Sequence, residues 1–369
     1  MTQPEQIMTT LGRYAEAVSR EIAAELEIEL DEWMRNAISY HFGWVDEQFR
    51  PVSGGNSGKK LRPTMALLAY QGALESQQTG AGVKADLRPA LPVAAAIEMV
   101  HNYSLVHDDI EDDDRFRHGR PTLWALWGKP KAINVGDCLD MLAFRCVLRS
   151  AERGLDAART LKLTRTITET SVKLTLGQHA DISFEDDLNV TPEMYIRMIS
   201  GKTAALISCS TYCGALAALD PAQPGNAEKL AKYALFGQQI GLGFQVRDDI
   251  LGIWGLAADT GKPSGSDIRR RKKSLPVIFA LSNAAPAQRE QLLELYRSSA
   301  PVTPEQEQFV MEALAECGAR QFAQEQANNF KQTALQALAA AAGGEAAIAN
   351  NPPLLQLRDL CTFLVERDY

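Results

Sequence analysis

No run of 18 apolar residues passes without polar interruption in this 369-residue chain, so no membrane span is expected. The opening MTQPEQIMTT has neither a basic start nor an apolar core, so no secretory leader is expected. Cysteine is scarce. The six are scattered without a CxxC pair, and no histidine set completes a zinc site. Cys209 and Cys213 lie four apart and share a helix face, where core packing is the expectation. A missing leader and no disulfide framework together fit a reducing cytoplasm. Positive charge is also in deficit: 38 Lys and Arg stand against 46 Asp and Glu, a net charge of −8. That balance argues against general nucleic-acid binding.

What is present is alanine, leucine and long segments suited to helix, with few β-branched runs. Residues 1–10 read as a loose tail. Residues 11–48 read as one long helix or two, with Ile22, Leu26, Ile28, Leu30, Trp33, Met34 and Ile38 at helical spacing. Arg50, Pro51 and a Gly/Ser-rich stretch at 53–58 end it. Further helices are expected over 64–74, 123–150, 155–180 and 193–219, with a polar loop at 76–89 and a turn at 220–225. Residues 277–369 read as amphipathic helices broken at 283–286, 299–304 and 341–353. No repeat of fixed period and no linker divides the chain, so a single domain over 1–369 is expected.

The chemistry gathers in residues 92–122, PVAAAIEMVHNYSLVHDDIEDDDRFRHGRPT. An apolar helix runs straight into Asp108, Asp109, Glu111, Asp112, Asp113 and Asp114. A helix C-terminus favours cations, so crowded carboxylates there need neutralising. Asp108 and Asp112, four apart, share one face. Mg²⁺ takes one or two such carboxylates and completes its shell with water and substrate phosphate. Residues 231–255, AKYALFGQQIGLGFQVRDDILGIWG, repeat the event, bringing Asp248 and Asp249 to the far end of a second apolar segment. Two acidic ends imply a diphosphate clamp built with metal.

Cations are placed to match. Lys59, Lys60 and Arg62 in GKKLRP precede a helix, where an anion would suit them. Arg115, Arg117 and Arg120 follow the first acidic cluster. They are either paired with those acids or available to phosphate oxygens. Lys202 and Thr203 interrupt an apolar face, and a lysine there is costly unless it meets an anion. The basic stretch DTGKPSGSDIRRRKKSLP, 259–276, reads as a lid over phosphates or a solvated loop. Asp137 reads as structural, the acids at 185–187 as solvated surface, and Gln178 and Asp181 as weak candidates to face a cavity.

Taken together, GKKLRP, HNYSLVHDDIEDDD, RHGRPT, GKT, GFQVRDD and KKSLP resemble the trans-isoprenyl diphosphate synthases, or polyprenyl synthetases, over nearly the whole chain. The resemblance implies an all-α helical bundle around a deep central cavity, the isoprenoid synthase type, in a homodimer. It implies condensation of isopentenyl diphosphate with an allylic diphosphate (dimethylallyl, geranyl or farnesyl) and release of pyrophosphate. By this resemblance Asp108 and Asp112 coordinate Mg²⁺, three ions per site, with Asp109 in support. Asp248 binds a further Mg²⁺ and Asp249 acts largely through water. Arg117, Lys202 and Lys262 hold the allylic diphosphate. Lys59, Arg62 and His101 hold isopentenyl diphosphate, and Thr203 and Gln245 line the reacting centre.

Three departures stand out. The first motif has only two residues between its pairs, without the longer spacing of some bacterial members. Gly252 replaces the last acid of the second aspartate motif. His118 replaces the second arginine after the first motif, a pH-dependent cation on the isopentenyl diphosphate side. Product length in the family is limited by bulk just before the first motif. Tyr103 and Ser104, five and four residues before Asp108, predict a floor at moderate depth and a C20 product ahead of C15. Alternative readings are a class I terpene cyclase and a catalytically silent partner subunit. Lys59, Arg62 and His101 speak against the first, and the retained aspartates against the second.

Overall fold

The computed structural model describes residues 3–27, 30–52, 60–77, 85–255 and 265–366. Lys59 and Lys262 lie outside the described residues. Among the described residues the chain is helical apart from one small hairpin and an isolated bridge between Val45 and Pro51. It forms two compact units. The first holds 1–171, 209–231 and 345–357; the second holds 172–208, 232–344 and 358–369.

In the first unit, α1 (Gln3–Leu26), α3 (Leu61–Glu75) and α6 (Lys129–Glu152) pack around α4 (Leu91–Glu111). The 1–10 tail expectation is corrected here, because the helix already begins at Gln3. Ile7, Leu11, Tyr14, Val18 and Ile22 recur at three- and four-residue steps and are all buried. That stripe extends the helix N-terminally because its apolar face has a core to cover. Between α1 and α2 (Glu32–His41), Asp31 caps the second helix by accepting from Met34 N–H at 2.8 Å.

α4 is buried on all sides over most of its length, as a central helix must be. Pro92 opens it, where a missing N–H costs nothing. Ala94, Ala95 and Ala96 keep its flanks thin. Its close approach to α6 is set by Gly136, where a Cβ would meet the His107 ring, with Cε1 at 3.2 Å and other ring atoms nearer. The helix stops at Asp112. Asp113 then takes the left-handed conformation (φ +50), which aspartate tolerates better than most residues.

The hairpin follows, unforeseen by helical periodicity. β1 (Phe116–Arg117) pairs antiparallel with β2 (Arg120–Pro121), and His118 and Gly119 form the turn with φ +52 and +76. Two left-handed residues make a type I′ turn, the tight connection whose twist suits adjacent strands.

In the second unit, the helix expected over 193–219 is interrupted. α8 (Pro192–Ile199) passes into a π-helical segment, Ser200–Ala204, before α9 (Ala205–Ala218) resumes. The cause is close backbone contact. A Cβ at Gly201 would sit 2.8 Å from Lys173 O and 3.1 Å from Gly177 Cα, on α7 (Ala157–Phe184). Two glycines let these backbones meet. α10 (Asn226–Trp254) approaches the same segment through Gly241, where a Cβ would lie 2.7 Å from the Ala204 Cβ. Helices Leu275–Asn283, Pro286–Arg297, Pro304–Glu316 and Ala319–Ala342 complete the unit. Their breaks match the expected ones except at Cys317 and Gly318. There Gly318, at φ +73, ends one helix and starts the next.

Candidate active site

In the first unit, the last turn of α4 divides its aspartates by exposure. Asp112 is exposed and Asp108 is half-buried. Asp109 is 3% exposed and turns inward to Arg117, whose Nε donates to Oδ1 at 2.7 Å. Burial pushes Asp109 up to about 6, with Arg117 opposing that shift. Lys129 pairs with Asp113 at 2.6 Å. Arg120 donates to the carbonyls of Tyr40 and Val45 and packs over the Tyr40 ring, while Arg115 packs over Trp124. Of the three arginines after the acids, Arg120 is therefore a tie between segments, and Arg117 lies beside the motif. His118 is exposed at the hairpin tip, and its pKa is lowered by partial burial and by Arg117.

One and two turns earlier on α4, Arg62 Nη1 donates to His101 Nε2 at 3.0 Å. Burial, together with the neighbouring Arg62 and Arg117 charges, drives the His101 pKa well down, so the ring is neutral. Tyr103 and Ser104 are buried. The Tyr103 ring meets His107 edge-on, with centroids 5.9 Å apart. His107 lies 3.6 Å from Asp137.

Lys60 is not a solvent-facing cation. Its backbone is left-handed (φ +47) and its ammonium is wholly buried, 3.0 Å from Glu98 Oε1 and 4.8 Å over the Phe42 ring. Glu98 Oε1 also accepts from Asn102 Nδ2 at 3.1 Å, and Asn102 Oδ1 faces His41 Nε2 at 3.1 Å. This buried polar row escaped the sequence reading, although Glu98 and Asn102 are among the polar interruptions in a largely apolar helix.

In the second unit, Lys202 in the π-helical segment is ion-paired with Asp181. Thr203 Oγ1 donates to Gln245 Oε1 at 2.8 Å, and Gln245 Nε2 donates to Asp249 Oδ1 at 3.3 Å. Asp248 is exposed. Asp249 is fully buried, and its carboxylate is taken up within the protein. It accepts from Tyr195 Oη, from Leu275 N–H at 3.2 Å and from Lys272 Nζ at 3.3 Å, besides Gln245. Tyr195 and Lys272 also escaped the sequence reading. Burial raises the Asp249 pKa, and Lys272 and the Tyr195 hydroxyl oppose that shift. Burial and the Asp249 charge hold the Tyr195 phenol well above its ordinary range.

The carboxylates of half-buried Asp108 and exposed Asp112 in the first unit, and of exposed Asp248 in the second, are hard oxygen donors of the type that suits Mg²⁺. Among the described residues, no group of three or more His, Cys, Asp or Glu side chains stands ready to hold a metal unaided. This donor set fits an ion that takes few protein ligands and fills its shell from water and a diphosphate.

The polyprenyl synthetase family model matches residues 48–315. The chain belongs to the polyprenyl synthetase family. It is thus an enzyme of the trans-prenyltransferase class. A (2E,6E)-farnesyl diphosphate synthase of Mycobacterium tuberculosis is 37% identical over 340 residues, 92% of this chain and 87% of that protein. A geranylgeranyl diphosphate synthase of the same organism is 38% identical over 302 residues, 81% of this chain and 79% of that protein. The crystal structure of a polyprenyl synthetase from Streptomyces coelicolor superposes with a TM-score of 0.83 at 32% identity, covering 97% of this chain and 99% of that one. The all-α isoprenoid synthase fold expected from the motifs is thereby borne out. No helix among the described residues of this family member is long and apolar enough to cross a membrane.

Proposed function

We propose that this prenyltransferase condenses isopentenyl diphosphate with dimethylallyl, geranyl or farnesyl diphosphate to a short-chain all-trans prenyl diphosphate. C20 is favoured over C15, and the whole chain works as one catalytic domain. The observation that carries the reading is the split among the aspartates. Asp112 is exposed and Asp108 half-buried at the end of α4, while Asp109 is buried against Arg117. A silent subunit has no reason to keep that division.

Asp108 and Asp112 would hold Mg²⁺ and Asp248 a further Mg²⁺, whose charge would neutralise the leaving diphosphate as the C–O bond ionises. Asp109 orients Arg117, which with Lys202 and Lys262 grips the allylic diphosphate. Asp181 holds the Lys202 ammonium in reach until a diphosphate competes for it. Arg62, Lys59 and His101 bind isopentenyl diphosphate. His101, being neutral, contributes a hydrogen bond rather than charge. His118 at the turn tip adds a weaker contact. The Thr203 and Gln245 dipoles face the allylic cation. The released pyrophosphate accepts the proton. Tyr103, braced edge-on by His107, is the tunnel floor beside Ser104.

The relatives named farnesyl and geranylgeranyl diphosphate synthase support the chain-length range. We further infer a homodimer working in the cytoplasm. Ile133, Met141 and Leu148, at eight- and seven-residue steps, leave an apolar stripe exposed on α6.

The test is incubation of purified protein with Mg²⁺, isopentenyl diphosphate and each allylic primer in turn, followed by sizing of the dephosphorylated products. A linear C15 or C20 alcohol, lost with chelator and in Asp108→Ala, is the expected outcome. A cyclic hydrocarbon formed without isopentenyl diphosphate, or no turnover with any primer, overturns the proposal.

A further inference from the structure

Glycine is a poor choice inside a helix, where alanine is better by propensity. α6 nonetheless carries Gly136 in its interior. The His107 ring of α4 explains it. A Cβ at Gly136 would lie 2.6 Å from His107 Cδ2 and 3.2 Å from Cε1, and nearer still to Nε2. The ring fills the notch that the missing side chain leaves.

The ring is also tied there. Positions 133, 136 and 137 share one face of α6. His107 Nε2 lies 3.3 Å from Ile133 O and 3.6 Å from Asp137 Oδ1. A carbonyl only accepts, so Nε2 carries a hydrogen and is aimed at α6. Asp137, structural by the sequence, is one wall of this seat. The same ring meets Tyr103, one turn back on α4, edge-on with centroids 5.9 Å apart. Tyr103 is buried. Contact therefore runs from α6 through His107 to Tyr103, all within the first unit.

We propose that Gly136 is a specificity-determining position for product length, acting at second hand. Its bare backbone lets His107 lie back against α6, and the seated ring sets how far Tyr103 reaches into the path of the prenyl tail. The tail part of this rests on the prenyl diphosphate synthase reading and its Tyr103 floor. Gly136 itself touches no substrate and is a positioning residue. The direction follows from the contacts. A methyl at 136 turns the His107 ring out of the notch and against Tyr103, so the space for the tail shortens. Truncating His107 lets Tyr103 settle toward the vacated notch, so the space deepens. With His107 truncated, a methyl at 136 no longer meets a ring and has nothing to transmit.

The experiment uses the full chain as wild type, Gly136→Ala, His107→Ala, Tyr103→Ala, and Gly136→Ala combined with each of the other two. Two readouts are taken. One is the rise in melting temperature on adding Mg²⁺ with geranyl, farnesyl, geranylgeranyl or geranylfarnesyl diphosphate, without isopentenyl diphosphate. The longest tail that still raises it reports the depth of the tunnel with no turnover required. The other is the ratio of C20 to C15 among the products. Gly136→Ala is expected to move the longest stabilising tail down by one isoprene unit and to lower the C20 to C15 ratio about tenfold. His107→Ala moves both readouts the other way. In the His107→Ala and Tyr103→Ala backgrounds, adding Gly136→Ala changes the ratio by less than about twofold. A merely structural role would lower the melting temperature without ligand and leave the longest stabilising tail where it was. Should Gly136→Ala fail to fold, His107→Trp, which overfills the same notch from the α4 side, carries the comparison and shortens the tail likewise. The proposal is overturned if a folded notch-filling variant keeps the wild-type tail limit. It is also overturned if Gly136→Ala shifts that limit equally in the Tyr103→Ala background, or if the wild type shows no tail limit at all. A limit that moves as described, in a protein that makes no prenyl product, would sink the synthase reading and leave the role of Gly136 standing.

Discussion

Replacing Glu98 by alanine should be among the most damaging single changes in the first unit. The Lys60 ammonium has no solvent exposure and lies 3.0 Å from Glu98 Oε1. Removing one partner of a buried ion pair leaves an uncompensated charge, at a cost of about 3–5 kcal/mol. The Asn102 amide keeps its bond to the Glu98 carbonyl at 2.7 Å, so only its second bond, to the carboxylate, is lost. The Phe42 ring, 4.8 Å from the ammonium, recovers a small part, about 1 kcal/mol. Glu98→Gln keeps the shape and one acceptor and should lie between wild type and alanine. Changing both partners, Lys60→Met with Glu98→Leu, removes both charges and should return stability to within about 1 kcal/mol of wild type. Urea unfolding of the four proteins, followed by circular dichroism and fluorescence, gives their relative stabilities. Glu98→Ala costing less than about 1 kcal/mol, or a double variant as unstable as that single one, would refute the argument from burial.

Other consequences are as direct. Burial pushes the His41 pKa down to about 3, against about 6.5 in an unfolded chain. The unfolded state thus takes up the proton first as pH falls, so this contribution is complete above about pH 6.5 and is lost on descending toward 3. From pH 7 to pH 5 the loss is about 2 kcal/mol, visible in urea midpoints and flattened in His41→Gln. Gly177→Ala would drive a methyl into the π-helical segment, 2.7 Å from the Gly201 carbonyl carbon. It should cost about 1–3 kcal/mol and lower kcat by displacing Lys202 and Thr203, while Ala→Gly changes on exposed faces should leave kcat alone. Tyr103→Ala should shift products toward longer chains on chromatography. An unchanged product length would show that the floor lies elsewhere.

The framework of the candidate site was legible because its demands are local. An apolar helix ending in Asp108 and Asp112 violates the charge preference of a helix C-terminus, and that violation is visible in a linear string; Asp248 lies within α10, which runs on to Trp254. The second partners were not legible. Nothing in GKKLRP says which lysine turns inward; that follows from the left-handed Lys60 backbone and from Glu98, 38 residues away. The pairing of Lys272 with Asp249 and Asp267 needs the fold, as does the π-helical turn, which arises from contact between Gly177 and Gly201. The tail was misread because a ten-residue stretch with few apolar side chains looks loose until the face carrying Ile7 and Leu11 is seen to have a core beneath it. His118 reads as a defect in a phosphate-binding pair, yet it is also a turn residue with its own backbone requirement.

Asp248 and Asp249 are neighbours in sequence and opposites in circumstance. The first faces solvent. The second receives the Tyr195 hydroxyl and the Lys272 ammonium, and by accepting from Leu275 N–H it also closes the start of the helix Leu275–Asn283. An alanine scan of the pair would therefore report two unlike losses under one heading. At 248 it would remove an exposed carboxylate that we propose as a metal ligand. At 249 it would pull the rivet through which α8, α10 and the helix at 275–283 are fastened, and the lost turnover would say little about catalysis.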